Sequence, residues 1–184
     1  MKFVQEEFSY TLEVKKSKFI THLCPYNNFS KMMQRLKGEH PKARHFVYAY
    51  RYLNEFDQIV ENSSDDGEPK GTSGRPSLKV LSGNTLVNSA VIIVRYFGGT
   101  RLGTGGLVRA YSEAVNLVIN EANFKSYENL ITKELTIEYS QVSKIEYKLN
   151  QLEINIINKD FSNKVIFTLE TTQDKFLKFL KINC

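Results

Sequence analysis

Apolar and polar residues follow patterns typical of short strands and helices along the first third of the chain. Residues 8–24 alternate loosely and contain many β-branched and aromatic residues, which predicts a long strand or a hairpin. Residues 27–40 carry apolar side chains at helical spacing, and Gly38 and Pro41 mark the end of this predicted helix. Residues 43–53 again resemble a strand, so the order strand, helix, strand is expected.

The middle of the chain combines a polar segment with two apolar elements. Residues 62–77 are polar and rich in glycine and proline, which predicts a long loop, and residues 75–83 suggest a short helix with Pro76 near its first turn. Residues 86–97 are apolar almost without interruption, as expected for a central strand that is covered on both faces. Beyond a glycine-rich stretch, apolar residues recur at helical spacing: Leu107, Ala110, Tyr111, Ala114, Val115 and Val118. This spacing predicts an amphipathic helix of about five turns.

From Lys133 onward the pattern begins again as strand, helix, two strands around an Asp/Asn turn, and a final helix. The order β-α-β-β-α corresponds to a ferredoxin-like split βαβ unit without its last strand. It predicts a three-stranded sheet with one edge uncovered or borrowed from a partner. We therefore expect an α+β protein with two domains, residues 1–127 and 128–184.

Composition and charge narrow the class of protein. With 41% hydrophobic and 12% aromatic residues, the 184-residue chain has enough apolar side chains for a core. No apolar run approaches the ~20 residues that span a membrane, no secretory signal is visible at the N-terminus, and Cys24 and Cys184 lack metal-ligand spacing. These features predict a cytoplasmic protein without membrane contact, metal or cofactor.

The formal net charge of +5 favours a polyanionic partner, and most of the excess lies in residues 1–130. The general abundance of Lys, Asn and Ile offers a compositional explanation for the same charge. The sequence leaves both interpretations open.

The stretch "VRYFGGTRLGTGGLVRAY" (residues 94–111) places glycines between the predicted central strand and the predicted helix. Amide groups at a helix N-terminus attract anions, and glycine lets a ligand approach the backbone closely. The nucleotide-binding motifs are not met, because Thr104 and Gly105 stand where a P-loop requires Lys and Ser/Thr. The sequence predicts a general anion site whose candidate residues are Lys70, Arg75, Arg95, Gly98, Gly99, Arg101, Gly103, Gly105, Gly106 and Arg109.

Several of these residues have a structural alternative. Arg109 is spaced to pair with Glu113, and Arg95 is placed to brace the loop or the acidic segment. Arg101 has no obvious structural partner and is the strongest candidate for a ligand contact. Tyr96 and Phe97 are expected either to stack on bases beside the cations or to belong to the core.

A cluster of carboxylates, Asp65, Asp66 and Glu68, is the remaining chemical candidate. Such groups hold Mg²⁺ or act as acid and base in some proteins, whereas in turns they accept backbone N–H bonds or pair with arginine. No nucleophile accompanies them, and His22, His40 and His45 form no ligand spacing. Catalysis is therefore not expected, although the sequence does not exclude it.

Two blocks, "DDGEPKGTSGRP" and "VIIVRYFGGTRLGTGGLVRAY", resemble the signature of the YigZ/IMPACT family in order and separation. The matching positions are Asp65, Asp66, Gly67, Glu68 and Pro69 in the first block and Arg95, Tyr96, Phe97, Gly98, Gly99, Leu102, Gly103, Gly105, Gly106, Arg109 and Tyr111 in the second.

The resemblance implies an N-terminal ribosomal protein S5 domain 2-like fold, followed by a ferredoxin-like domain similar to domain V of elongation factor G. It also implies a translation-linked role. Eukaryotic relatives restrain a starvation-activated kinase through an additional domain, for which this chain is too short. Three functions follow as hypotheses: binding of RNA or the ribosome, protein-interaction regulation without RNA contact, and action on a phosphorylated small molecule. The partner and the oligomeric state stay open.

Overall fold

The computed structural model describes residues 1–183 and divides the chain into two compact units, Met1–Tyr127 and Glu128–Cys184. Cys184 lies outside the described residues. The elements of the first unit are β1 (Lys2–Phe3), β2 (Phe8–Val14), β3 (Ser17–Pro25), α1 (Phe29–Glu39), β4 (His45–Leu53), β5 (Ile59–Ser64), α2 (Gly74–Gly83), β6 (Ser89–Tyr96), α3 (Gly103–Glu121) and β7 (Lys125–Ser126).

The first unit is built on a five-stranded antiparallel sheet with the order β2-β3-β6-β4-β5. Side chains alternate along the central strand β6, so that Ala90 and Ile92 face α1 whereas Val91 and Ile93 face α2 and α3. Both faces are covered by helices, and for this reason β6 is apolar along nearly its whole length. The predictions of a central strand and of a β2–β3 hairpin are confirmed.

The predicted loop over residues 62–77 is shorter than expected. Strand β5 continues to Ser64, where it pairs with β4, and α2 begins at Gly74. Strand β5 was not predicted because most of its side chains are polar. It lies at the edge of the sheet, where a strand buries little apolar surface. A second small sheet, formed by β1 and β7, was not predicted either.

The second unit consists of β8 (Leu130–Ile137), α4 (Val142–Gln151), β9 (Asn155–Phe161), β10 (Val165–Thr172) and α5 (Gln173–Asn183). Its antiparallel sheet has the order β8-β10-β9. Alternate residues of β10, among them Phe167 and Leu169, pack with Leu149 of α4 and Phe179 of α5. The predicted β-α-β-β-α order and the α+β class are confirmed.

Two further features of the sequence are its lack of long apolar runs and its cysteines. Within residues 1–183, no helix is both long enough and apolar enough to cross a bilayer. Cys24 is buried between the sheet and α1, and burial raises the pKa of its thiol to about 12.

Candidate functional site

The glycine segment, residues 97–106, connects the end of β6 to α3. Helix α3 begins at Gly103, so that Gly103, Gly105 and Gly106 occupy its first turn instead of a loop. The N-cap residue of α3 is Leu102, which forms no side-chain cap hydrogen bond. The amide groups of this first turn therefore lack the side-chain acceptor that closes many helix N-termini, and the helix dipole makes the position favourable for an anion.

Gly98 anchors the segment to the β2–β3 hairpin. A Cβ atom at this position would lie 2.0 Å from the carbonyl carbon of Lys16, and the Gly98 N–H donates to Ser17 Oγ at 3.1 Å. Gly99 has a φ of +88°, which L-residues with a side chain rarely adopt. Geometry therefore requires glycine at both positions: Gly98 for its close approach to the hairpin and Gly99 for its positive φ.

Arg101 lies beside the start of α3, in a hollow of about 340 Å³ that we call the glycine hollow. Its lining consists of Glu68, Pro69, Arg95, Phe97, Arg101, Leu102, Gly103, Thr104 and Leu107. The Arg101 side chain is exposed and forms no ion pair with any described carboxylate. An unpaired cation and the first residues of α3 thus line the same hollow.

Arg95 does not lie free for an anion, and the expectation for this residue needs correction. Only 6% of its surface is exposed, and its Nη1 donates to Glu68 Oε1 at 2.5 Å. Its Nε is buried without a hydrogen-bond partner among residues 1–183. A buried guanidinium requires a carboxylate nearby, so the charge of Arg95 is largely used inside the protein. This is the bracing role that the sequence left open.

Glu68 is the centre of a buried polar cluster. Besides Arg95, the Tyr111 hydroxyl donates to Glu68 Oε1 at 2.8 Å, and His45 Nε2 lies 4.0 Å from the same oxygen. Burial, and then the adjacent Glu68 carboxylate, raise the pKa of Tyr111 well above its usual value. The cluster joins the acidic segment to β4, β6 and α3.

Asp65 closes the start of α2. Its carboxylate accepts the N–H groups of Gly71 at 2.7 Å and Gly74 at 2.9 Å, together with the N–H and the hydroxyl of Ser73. Burial alone would raise the pKa of Asp65, but these hydrogen bonds outweigh burial and hold the pKa below its usual range. The arrangement is a side-chain helix cap supplied from eight or nine residues upstream.

Asp66 is committed to β4 in the same way. Its Oδ2 accepts the Phe46 N–H at 2.6 Å, and its carbonyl oxygen accepts from His45 Nδ1 at 2.8 Å. Among the described residues, no group of three or more His, Cys, Asp or Glu side chains is arranged to hold a metal ion. The three candidate carboxylates of the acidic loop, residues 65–73, therefore act within the fold.

The remaining predicted cations do not gather in one hollow. Lys70, Arg75 and Arg109 are exposed, and none of them pairs with a described carboxylate, including Glu113 for Arg109. Arg75 lines a separate groove of about 410 Å³, the α2–α3 groove, whose lining is Gly71, Arg75, Pro76, Lys79, Val80, Val108 and Ser112. Of the predicted cations, Arg95 and Arg101 line the glycine hollow and Arg75 lines the α2–α3 groove, whereas Lys70 and Arg109 line neither depression.

Sequence reasoning missed two cations that lie close to Arg95. Lys42 and Arg44 precede β4, and they line a hollow of about 390 Å³, the β4 hollow, together with His45, Arg95, Tyr96 and Phe97. No motif marks Lys42 and Arg44. They become neighbours of the glycine segment because β4 runs antiparallel to β6, with His45 opposite Arg95.

The two aromatic residues at the end of β6 differ in their surroundings. Tyr96 is half-buried against the α1 side of the sheet, and its hydroxyl lies 3.0 Å from His40 Nδ1. Phe97 is 57% exposed and lines both the glycine hollow and the β4 hollow. Both rings line the β4 hollow, but Phe97 is the more exposed of the two and also lines the glycine hollow.

Comparison with known proteins places these features in a family. The Impact N-terminal domain matches residues 15–119. The IMPACT family member YigZ of Escherichia coli (strain K12) is 36% identical over 170 residues, which cover 91% of this chain and 83% of the relative. The IMPACT family member YvyE of Bacillus subtilis (strain 168) is 32% identical over 167 residues, covering 89% and 76%. The chain belongs to the IMPACT family.

A solved structure supports the same arrangement of elements. A crystal structure described as that of a hypothetical protein matches with a TM-score of 0.67 and 34% sequence identity, covering 97% of this chain and 88% of the other. The family resemblance carried by the acidic and glycine blocks is thus confirmed, and the two blocks meet in space through the contact of Glu68 with Arg95 and Tyr111.

Proposed function

We propose that this protein is a translation-associated RNA- or ribosome-binding factor that holds a phosphate at the glycine hollow. The observation that carries the proposal is the shared position of an unpaired, exposed Arg101 and the uncapped N-terminus of α3. A helix N-terminus with an adjacent guanidinium is a favourable environment for a phosphate group. The net charge of +5 adds long-range attraction for a polyanion, and membership of the IMPACT family supports the link to translation.

A phosphorylated small molecule as a reaction substrate is less well supported. In such a reaction Asp65 and Asp66 would have to bind a metal ion or accept a proton from the substrate. In the folded chain, however, both carboxylates accept backbone N–H groups. Their release would open the start of α2 and the contact with β4. We therefore favour binding over catalysis for this surface.

The binding proposal is tested by charge reversal at Arg101. Wild-type protein and Arg101→Glu are titrated against a fluorescent RNA hairpin and a single-stranded oligonucleotide at several salt concentrations. Because Arg101→Glu loses one phosphate contact, it should bind both RNAs more weakly than wild type. The slope of log K against log salt should fall by about one unit. Lys37→Glu serves as a control, because Lys37 lies on α1, on the opposite side of the sheet. Equal binding by Arg101→Glu and wild type would refute the proposal.

Protein interaction is a second candidate because of the α2–α3 groove. Pro76, Val80 and Val108 give this groove an apolar floor, while Arg75 and Lys79 place two cations in its lining. Such a mixture suits an acidic amphipathic segment of a protein partner. A pull-down from cell extract treated with nuclease separates the two functions: partners that wild type retains and Val108→Glu does not would favour the groove.

A further inference from the structure

The β4 hollow has the composition of a second phosphate site. Its six described lining residues include Lys42, Arg44, His45 and Arg95 and no carboxylate. Lys42 and Arg44 are exposed and pair with no described carboxylate, so that their charges stay available to a ligand. Two unpaired cations at the mouth of one depression attract a group of opposite charge.

The base of this hollow is preorganised by the buried cluster. His45 Nδ1 donates to the Asp66 carbonyl at 2.8 Å, which fixes the ring and assigns the proton to Nδ1. Arg95 is held by Glu68, while its buried Nε has no partner in the described part of the chain. The side chains of His45 and Arg95 are therefore held in place before a ligand binds, which reduces the entropic cost of binding.

Phe97 links the β4 hollow to the glycine hollow. Its ring is 57% exposed, lines both depressions, and lies 5.9 Å from the Arg95 guanidinium carbon. An aromatic ring between two cationic depressions is the arrangement by which proteins hold a single strand, with bases stacked on the ring and phosphates on the cations. A duplex keeps its bases stacked on each other and leaves no face for Phe97.

We infer that the β4 hollow and the glycine hollow bind one continuous single strand of RNA. Lys42 and Arg44 bind one phosphate, Phe97 stacks on a base, and the glycine hollow binds the next phosphate of the same strand. This inference rests on the proposed RNA-binding function and extends it by naming single-stranded RNA as the ligand. It assigns binding roles to Lys42, Arg44 and Phe97.

The test uses full-length protein and fluorescent oligouridylates of two, four and eight nucleotides in anisotropy titrations at several salt concentrations. The Lys42→Glu/Arg44→Glu variant should bind the octamer at least about tenfold more weakly, and its salt slope should fall by about 0.7 for each phosphate that is no longer bound. Phe97→Ala should weaken binding roughly tenfold, because one base can no longer stack. Phe97→Leu keeps an apolar side chain and should bind as weakly as Phe97→Ala if stacking matters.

Each outcome separates this inference from the proposed function. If Lys42→Glu/Arg44→Glu and Phe97→Ala bind the octamer like wild type while Arg101→Glu does not, the inference is wrong and the proposed function stands. If wild type binds none of the RNAs, including the hairpin, both fail. If uridine monophosphate competes as strongly as the octamer, the hollow is a mononucleotide site and the continuous path is wrong. Thermal unfolding verifies that the exposed substitutions leave the fold intact.

Discussion

The acidic loop and the glycine segment both line the glycine hollow and both contain glycines and charged side chains. The acidic carboxylates and Arg101 are nevertheless used in opposite ways. In the acidic loop, Asp65, Asp66 and Glu68 all accept hydrogen bonds from the protein. In the glycine segment, Arg101 is unpaired with any described carboxylate, and Leu102, the N-cap residue of α3, forms no side-chain cap hydrogen bond. Charged side chains near glycines stabilise the fold where their partners are internal, whereas Arg101, which has no such partner among the described carboxylates, keeps its charge exposed to solvent.

Breaking the buried ion pair should give the largest loss of stability. Glu68→Gln removes the charge that neutralises Arg95 while keeping a similar shape, and it leaves a buried guanidinium uncompensated. We expect a loss of about 3 kcal/mol or more in the free energy of unfolding, measured by urea titration with circular dichroism. The matched control is Glu13→Gln, whose partner Lys18 is exposed, and it should cost less than about 1 kcal/mol. Equal losses in the two variants would contradict the central role of Glu68.

The glycine segment itself contains a matched pair of positions. Gly98→Ala places a Cβ atom 2.0 Å from a backbone carbon of Lys16, so the hairpin must shift, and we expect a loss of about 2 to 3 kcal/mol. Gly105→Ala meets no atom of the described chain within 4 Å and lies in the first turn of α3. It should be neutral or stabilise the protein by up to about 1 kcal/mol. Urea titrations of both variants check the difference, and a costly Gly105→Ala would show that this turn is tightly packed.

The helix cap at Asp65 predicts a pH dependence. The folded pKa of Asp65 lies below its unfolded value of about 3.9, so its stabilising effect is complete above that value and is lost as pH falls through the folded pKa. Asp65→Asn should therefore cost about 1 to 2 kcal/mol at pH 7, and the difference from wild type should shrink below about pH 4. The exposed Asp160→Asn is a control, expected to show little difference at either pH. A constant difference for Asp65→Asn across pH would exclude the carboxylate as its source.

Sequence periodicity predicted the elements but not the contacts among them. The apolar run of β6 and the helical spacing of α3 follow directly from burial on two faces and on one face, respectively. The Glu68–Arg95–Tyr111 cluster joins residues separated by 27 and 43 positions, and no local pattern encodes such a contact. Strand β5 was not predicted because it lies at the sheet edge and most of its residues are polar.

The candidate site was predictable only in part for the same reason. Arg101 and the glycine segment lie in one continuous motif, whereas Lys42 and Arg44 reach the site through the antiparallel pairing of β4 with β6. Strand pairing between distant residues depends on sheet order, which periodicity does not fix. A correct strand order would have placed residues 42–44 next to Phe97.

The smallest expected effect is the most direct test of the contrast between the two motifs. Arg101→Ala and Arg109→Ala should each change the free energy of unfolding by less than about 0.5 kcal/mol, because both side chains are exposed and unpaired with any described carboxylate. The comparison substitution Arg95→Ala removes a buried partner of Glu68 and should cost several-fold more. Urea titrations of the three variants under identical conditions measure the difference. A loss above about 1 kcal/mol for Arg101→Ala would place that arginine among the groups that hold the fold together, and the glycine segment would then resemble the acidic loop.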